Sequence, residues 1–233
     1  MKFTLYFAPG ACSRVPLIAL EEIGQPFDTH LVIFMKGEHR SPDYLALNPA
    51  GKVPTLVVDG QPLTQNVAIL SFLARSFPGT GLLPFTGDTL ADARFMSQLS
   101  FFSADLHPIV TRIRLPQFFC DIAGGPGRVR EMADAAMGLQ LGSLDSRLAT
   151  RPWLLGDAWS ILDAYLYWVW FRITGAGFPE EKFPNIAAHA KHMEERPAVS
   201  RALAREAQAE ADLVAKGLAV KFEAMTGAPG ARR

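Results

Sequence analysis

The first third of the chain alternates short apolar runs, typical of strands, with longer stretches in which apolar residues recur at helical spacing. The predicted order is strand 2–7, helix 13–24, strand 27–33, helix 41–47, strands 53–58 and 62–64, and helix 65–77. A helix between the first two strands makes them parallel, whereas Asp59 and Gly60 between the last two predict a hairpin. The order βαβ-α-ββα indicates a small α/β domain.

The strand pattern disappears after a segment rich in proline and glycine, and helical spacing takes its place. Over 88–119 one apolar helix face is formed by Phe95, Leu99, Phe102, Leu106, Ile109 and Ile113. Further helices are predicted over 129–149, 160–174, 184–195 and 197–216. We therefore expect an α/β domain at 1–80, a linker at 81–89, an all-helical domain at 90–218 and a flexible tail at 219–233.

The composition narrows the possible partners. Lys plus Arg equals Asp plus Glu, at 23 each in 233 residues, so no net charge attracts nucleic acid or anionic membranes. The most apolar segment, 161–171, is too short to span a bilayer, and the N-terminus lacks the apolar core of a signal peptide. Two cysteines are too few for a disulfide framework. We expect a cytoplasmic protein without a nucleic-acid or membrane partner.

Cys12 stands between the first predicted strand and the first predicted helix. Unpaired N–H groups and the positive end of the dipole at a helix N-terminus favour a thiolate, which predicts a thiol pKa below the usual value of about 8.5. Ser13 and Arg14 follow and offer a hydrogen bond or positive charge. The alternative is a small buried hydrophobic residue. Because Val15 occupies the position where a Cys-x-x-Cys motif needs its second cysteine, disulfide chemistry requires a thiol from outside.

The segment "NPAGKVPTL" at 48–56 places Pro54 at the start of a strand, where its missing N–H is tolerated. The bond from Val53 to Pro54 is of the one type that is commonly cis. A cis bond would turn the N–H and C=O of Val53 outward, ready to pair with an extended peptide. An ordinary trans proline that begins a strand is the alternative.

These features together resemble the glutathione S-transferases: Cys12 after the first strand, "NPAGKVP" before the third, and the polar pair Gln65 and Asn66 opening the next helix. The stretches "PGACS" and "LHP" are most similar to the bacterial beta class. The resemblance implies a thioredoxin-like first domain and a homodimer. It also implies conjugation of the glutathione thiolate to small hydrophobic electrophiles, with glutathione as co-substrate and no other cofactor.

The resemblance assigns catalysis to three residues. Cys12 would lie beside the glutathione sulfur, Ser13 would help hold that sulfur as thiolate, and His107 would donate a hydrogen bond or relay a proton. The implied glutathione contacts are Cys12, Lys36, Lys52, Val53, Pro54, Gln65, Asn66, Ser100, Ala104 and His107. The implied second-substrate pocket consists of Ala11, Phe101, Ala104, Thr111, Tyr165 and Trp168.

The pair Gln65 and Asn66 departs from the family, where an acidic residue followed by Ser or Gly is more usual. The helix N-terminus and the Asn66 side chain would hold the γ-glutamyl carboxylate, but Gln65 has no charge for the α-ammonium group. A carboxylate of the dimer partner would supply it, or the thiol specificity is altered. The alternative for Gln65 is a simple helix cap.

His107 belongs to a polar stripe along the long predicted helix. The stripe consists of Ser100, Ser103, His107, Thr111 and Arg114. Pro108 lacks an N–H, so it is expected to bend the helix and free the carbonyl of Ala104.

The motif "SILD" predicts a capping box in which Ser160 and Asp163 have a structural role. His189 and His192 are three residues apart without a third ligand in the pattern, so a helix surface is expected and a metal site is not. Cys120 is interpreted as a packed thiol.

Two other functions remain open. Cys12 could attack a glutathionyl mixed disulfide itself, as in a monothiol reductase, or act in a glutathione-dependent lyase or dehalogenase. A non-catalytic binding or stress-response module with the transferase fold is the third possibility, and the unusual Gln65 and Asn66 are its support.

Overall fold

The computed structural model describes residues 1–219. Its elements are β1 (Phe3–Phe7), α1 (Arg14–Ile23), β2 (Phe27–Leu31), α2 (Pro42–Leu47), β3 (Thr55–Val58), β4 (Gln61–Thr64), α3 (Asn66–Ser76), α4 (Thr89–Ser100), α5 (His107–Arg114), α6 (Gly125–Leu148), α7 (Ile161–Thr174), α8 (Pro184–Glu194) and α9 (Pro197–Ala215). The predicted tail 219–233 lies, from residue 220 onward, outside the described residues. None of the helices described within 1–219 is both long and apolar enough to cross a membrane.

The four strands form one mixed sheet in the order β2-β1-β3-β4. Strand β1 pairs parallel with β2 and antiparallel with β3, and β3 pairs antiparallel with β4. The parallel pair follows from α1, which ends where Gly24 adopts a left-handed φ of 72°. Asp59 (φ 47°) and Gly60 (φ 86°) form the predicted two-residue hairpin. The predicted fold class, an α/β domain followed by a helical domain, is confirmed.

Helix α1 joins the two domains. It contacts α3 of its own domain and α7 and α9 of the helical domain, and its residues from Arg14 to Glu21 are all buried. The guanidinium of Arg14 donates through Nε to Glu206 Oε2 of α9 at 2.8 Å, and both side chains are buried. The end of β1 and the start of α1 are therefore fixed at the boundary between the domains.

The long helix predicted over 88–119 is interrupted by a wider turn. Between α4 and α5, residues Phe101–Leu106 form a π-helical segment in which the N–H of His107 donates to the carbonyl of Phe102. The missing N–H of Pro108 follows directly, so the disturbance occurs where a bend is predicted. The helix ends at Arg114, before the predicted end, because Pro116 disfavours helical geometry at the preceding residue.

The carboxylate of Asp163 caps α7 from inside the protein. Its Oδ2 accepts the N–H of Ser160 at 2.8 Å and the Ser160 hydroxyl at 3.0 Å, and the predicted capping box is present. Its Oδ1 accepts the N–H of Leu154 at 2.8 Å and lies 3.0 Å from Nε2 of His189. The expectation that His189 lies on a surface is wrong, because its ring is buried against this carboxylate. His192 stacks on the Trp153 ring, with centroids 4.2 Å apart.

Replacing Asp163 by alanine should lower the free energy of unfolding by about 3 kcal/mol or more, because several buried donors lose their acceptor at once. Asp88→Ala is the matched control. Asp88 also caps a helix, accepting the N–H of Ala91 at 2.7 Å, but in an exposed position where the loss should be about 1 kcal/mol. Urea unfolding followed by circular dichroism measures both, and equal losses would contradict the cooperative role of Asp163.

Candidate active site

An open cleft of about 1030 Å³ lies between the two domains. The first domain lines it with Ala11, Cys12, Phe34, Asn48, residues 50–54 and residues 65–67. The helical domain lines it with Ser103, Ala104, His107, Pro108, residues 110–112, Arg114, Leu115, Phe118, Phe119, Tyr165, Trp168 and Arg172. The cleft thus brings together most of the residues that the sequence predicted to act on one ligand.

Cys12 lies in the turn that joins β1 to α1. Its Sγ donates to the carbonyl oxygen of Val53 at 3.4 Å, so the thiol touches the loop before β3. The peptide bond between Val53 and Pro54 is cis. The thiol and the main chain of Val53 therefore share one wall of the cleft.

The prediction that the pKa of the Cys12 thiol is lowered is wrong. Burial raises the pKa of this thiol to about 12, although the charges of Arg172 and Lys52 and a hydrogen bond from Asn66 act in the opposite direction. The first N–H groups of α1 do not donate to the Cys12 sulfur. The N–H of Arg14 donates to the Ala11 carbonyl at 3.0 Å, and the N–H of Val15 donates to the Cys12 carbonyl. Cys12 is a neutral thiol at neutral pH and can donate a hydrogen bond.

The hydroxyl of Ser13 is turned away from the cleft. It donates to the carbonyl of Ala8 and accepts the N–H of the same residue, both at 3.2 Å, and it is fully buried. The predicted contact of Ser13 with a substrate sulfur is therefore corrected. Ser13 instead closes the turn that presents Cys12.

A hydrogen-bond chain connects the two domains behind Cys12. The Asn66 amide donates through Nδ2 to the Cys12 carbonyl at 3.1 Å and to the Tyr165 hydroxyl at 3.4 Å. The Tyr165 hydroxyl lies 3.1 Å from Nδ1 of His107. Either atom of this pair can be the donor; where the hydroxyl donates to Nδ1, the proton of a neutral His107 ring is on Nε2.

His107 is neutral in this setting. Burial, together with the charges of Lys52 and Arg172, lowers the pKa of its ring to about 4. The ring meets the Trp168 indole edge-on, with centroids 4.6 Å apart, and the indole Nε1 donates to the carbonyl of Gly10 at 3.2 Å. With its proton on Nε2, His107 offers an N–H donor without carrying a charge.

Gln65 and Asn66 stand at the N-terminus of α3 with different environments. Gln65 is exposed, has a positive φ of 72° and makes no side-chain cap, so the interpretation as a simple cap does not hold. A positive φ at a non-glycine residue is a strained conformation that concentrates at functional sites. The side-chain amide of Asn66 is buried and donates to the Cys12 carbonyl and the Tyr165 hydroxyl, so in this structure it binds other residues of the protein.

Three predicted contact residues do not line the cleft: Lys36, Ser100 and Phe101. Lys36 is exposed in a turn whose first residue, Phe34, reaches the cleft instead. From this part of the helical wall, Ser103 lines the cleft together with the predicted Ala104 and His107.

The sequence reasoning missed the two arginines that line the inner part of the helical wall. Arg114 donates through Nη1 to the carbonyl of Arg172 at 3.0 Å, so the two residues are neighbours. Arg114 ends the polar stripe through His107, and Arg172 ends the most apolar segment of the chain. These two positions in the sequence were the features that could have indicated a place for both arginines at the site. Within residues 1–219, no cluster of three His, Cys, Asp or Glu side chains is placed to hold a metal ion.

Two family models match this chain. The model described as "Glutathione S-transferase, N-terminal domain" matches residues 10–76, which contain Cys12, Val53 and Asn66. The model described as "Glutathione S-transferase, C-terminal domain" matches residues 128–192, which contain Tyr165 and Trp168. The matched segments therefore contain most of the first-domain wall and the α7 residues of the cleft, whereas His107 and the rest of α5 lie between them.

Curated relatives carry two kinds of name. Glutathione S-transferase GST-4.5 of Xanthomonas campestris is 39% identical over 165 residues, covering 70% of this chain and 78% of that protein. Glutathione S-transferase GstA of Escherichia coli O157:H7 is 32% identical over 204 residues, covering 87% and 98%. Maleylacetoacetate isomerase of Pseudomonas aeruginosa is 30% identical over 208 residues, covering 85% and 96%.

Two solved structures have a similar fold over nearly their whole length. A bacterial beta-class glutathione S-transferase of Sphingomonas chungbukensis has a TM-score of 0.76 at 32% identity, covering 87% of this chain and 98% of its own. A sphingomonad glutathione S-transferase complexed with glutathione has a TM-score of 0.76 at 33% identity, covering 88% and 98%.

The neutral state of Cys12 is open to direct titration. In a Cys120→Ser variant Cys12 is the only thiol, and its thiolate absorbance near 240 nm should not rise between pH 6 and pH 10, because its pKa is raised to about 12. A variant that also carries Cys12→Ala gives the tyrosine baseline. A thiolate signal with a midpoint near neutral pH would contradict the dominance of burial at this site.

Proposed function

Because the chain belongs to the glutathione S-transferase family, we propose that it conjugates the thiolate of glutathione to small electrophiles with an apolar body. The observation that carries the proposal is the position of the Cys12 thiol, which lines the cleft and donates to the carbonyl of Val53. Burial raises the pKa of this thiol. A neutral thiol is a hydrogen-bond donor and a poor nucleophile. Cys12 would therefore assist the sulfur of glutathione and not replace it.

The first domain would hold the tripeptide. Val53 lines the cleft and would pair its main chain with the cysteinyl unit of glutathione, as the family resemblance implies. The first amides of α3 have no acceptor within the helix and would bind the γ-glutamyl carboxylate beside Gln65. Lys52 lines the same wall and offers a cation for the other carboxylate. The similar structure complexed with glutathione supports glutathione as the ligand.

The neutral donors and the nearby cations would together stabilise the thiolate. When the glutathione sulfur lies beside Cys12, the S–H of Cys12 can pass its hydrogen bond from the Val53 carbonyl to that sulfur. The Val53 carbonyl is then free to accept the cysteinyl N–H. The Nε2–H of His107 is a second donor, and the charges of Lys52 and Arg172, which already act on Cys12, favour the anion.

The reaction itself needs no further group from the protein. The thiol proton of glutathione leaves to water, and the sulfur lone pair forms a bond to the electrophilic carbon. A leaving group such as chloride departs with its bonding electrons, or, in addition to a double bond, the neighbouring carbon takes a proton from water. Pro108, Leu115 and Trp168 line the cleft opposite the first domain and would bury the apolar part of the electrophile.

Isomerisation is a second candidate, favoured by the relative named maleylacetoacetate isomerase. Addition of glutathione to a double bond and its later elimination would use the same sulfur and leave glutathione unchanged. A covalent role for Cys12, as in a reductase, lyase or dehalogenase, is disfavoured because its pKa is raised. The non-catalytic alternative is disfavoured by the donors and cations gathered at the cleft.

The oligomeric state and the cellular compartment of the enzyme are inferred from the family and the composition. A homodimer is the family expectation, and a partner subunit would bring its own carboxylates to the exposed side of Gln65. The cysteines at 12 and 120 are both free in the structure, which supports a reducing compartment such as the cytoplasm. Glutathione is the only co-substrate that the proposal requires.

Substitution of Cys12 separates the two roles of this residue. Cys12→Ala should lower kcat/KM for 1-chloro-2,4-dinitrobenzene by about tenfold, the value of one hydrogen bond to a charged group, and leave glutathione-dependent turnover measurable. Cys12→Ser keeps a donor and should retain more activity than the alanine variant. If both variants bind glutathione in calorimetry but have no turnover, Cys12 is the nucleophile. If the wild type neither binds glutathione nor turns over, the proposed function is wrong.

A further inference from the structure

A chain of hydrogen bonds connects the main chain of Cys12 to the ring of His107, and all of its members line the cleft. It runs through the side-chain amide of Asn66 and the hydroxyl of Tyr165, so it passes from the first domain to the second. The Tyr165 ring is fully buried and stacks on Phe102, with centroids 5.5 Å apart. Because packing holds this ring, the hydroxyl oxygen is fixed between Asn66 and His107.

The carbonyl of Cys12 sets the direction of the chain at its first-domain end. A carbonyl oxygen can only accept a hydrogen bond, so the Asn66 atom that faces it at 3.1 Å is the amide nitrogen Nδ2. Turning the amide over would place its Oδ1 against the carbonyl oxygen, with no proton between the two acceptors. In the observed orientation Oδ1 has no hydrogen-bond partner among the described residues, and one unpaired acceptor is the smaller cost.

The second N–H of the same amide defines the role of the Tyr165 hydroxyl. The hydroxyl oxygen accepts from Nδ2 of Asn66 at 3.4 Å, and within residues 1–219 its other partner is Nδ1 of His107, at 3.1 Å. If Nδ1 carried the ring proton, the hydroxyl would accept twice and its own proton would be buried without an acceptor. An unpaired buried donor is costly, whereas donation from the hydroxyl to Nδ1 gives that proton a partner.

The position of the single ring proton decides what His107 can do. The ring is neutral at neutral pH, since its pKa is lowered to about 4. A neutral imidazole has one N–H, so an acceptor role at Nδ1 leaves the proton on Nε2. Nδ1 is turned to Tyr165, and Nε2 is therefore the ring nitrogen that a ligand in the cleft would meet. With the proton there the ring is a donor, and without it the ring is an acceptor.

We propose that Asn66 and Tyr165 are positioning residues that hold the proton of His107 on Nε2, so that the ring donates to the sulfur of bound glutathione. A donor strengthens its bond as that sulfur becomes an anion, whereas a lone pair on Nε2 would repel it. The order begins at the main chain of Cys12, so it does not depend on the thiol of that residue. This inference rests on the proposed function, because it assigns a proton at the same site.

Nitrogen-15 NMR of protein labelled at its five histidines reads the tautomer without any substrate, and His107→Gln assigns the signals of His107. At pH 7 Nε2 of the wild type should have the shift of an N–H nitrogen. Tyr165→Phe should raise the ratio of the Nδ1–H to the Nε2–H form about fivefold, the value of one hydrogen bond. Tyr167→Phe is the matched control, because it removes a buried α7 hydroxyl that donates to Glu194 at 3.1 Å, and should leave the ratio unchanged. Cys12→Ala keeps the main-chain carbonyl and should also leave it unchanged.

Kinetics with glutathione and 1-chloro-2,4-dinitrobenzene connect the tautomer to the reaction. In Tyr165→Phe the pH midpoint of kcat/KM should move to higher pH, because the thiolate loses part of a donor, while Tyr167→Phe keeps the wild-type midpoint. An Nδ1–H ring in the wild type, or the same tautomer ratio in Tyr165→Phe, would overturn the inference whatever the activity. A changed ratio with an unmoved midpoint would also overturn it, because His107 would then not act on the sulfur. If the wild type neither binds glutathione nor turns over, the proposed function fails by itself, and the spectra still decide the tautomer.

Discussion

Helix α1 lies between the other elements of its own domain and helices α7 and α9 of the second domain, and this burial is the constraint on which the cleft depends. The ion pair between Arg14 and Glu206 fixes α1 to α9, and the Trp168 indole donates to the carbonyl of Gly10 in the turn before α1. Because the turn is held from both sides, Cys12 is partly buried where the two domains meet. That burial is the largest influence on the pKa of its thiol.

Burial divides the polar groups of the cleft into two kinds. It raises the pKa of Cys12 against the nearby charges, and it lowers the pKa of His107 together with the charges of Lys52 and Arg172, so both side chains are neutral. Arginine keeps its charge at neutral pH even where burial lowers its pKa, as at Arg172. The cleft therefore combines uncharged donors with fixed positive charge, an arrangement that suits an anionic sulfur and disfavours a second nucleophile.

The fold followed from local signals, whereas much of the site did not. Gly24, the Asp59 and Gly60 turn and the "SILD" capping box act through neighbouring residues, so the sequence alone reveals them. The pKa of Cys12 has the opposite direction from the prediction, because desolvation depends on a domain that is distant in sequence. The burial of His189 was not predicted for the same reason, since its partner Asp163 is 26 residues away in the sequence. Regular helical spacing also does not predict the π-helical segment Phe101–Leu106, which interrupts the helix next to His107.

The central claim is that the enzyme ionises the sulfur of bound glutathione while Cys12 stays protonated. Ultraviolet difference absorbance near 240 nm, recorded at pH 7 as glutathione is added to the wild type and to Cys12→Ser, measures it most directly. A thiolate signal that saturates with glutathione in both proteins is the expected result, because the signal then comes from the tripeptide. A signal that is absent from the wild type, or that disappears in Cys12→Ser although glutathione still binds, would contradict the claim.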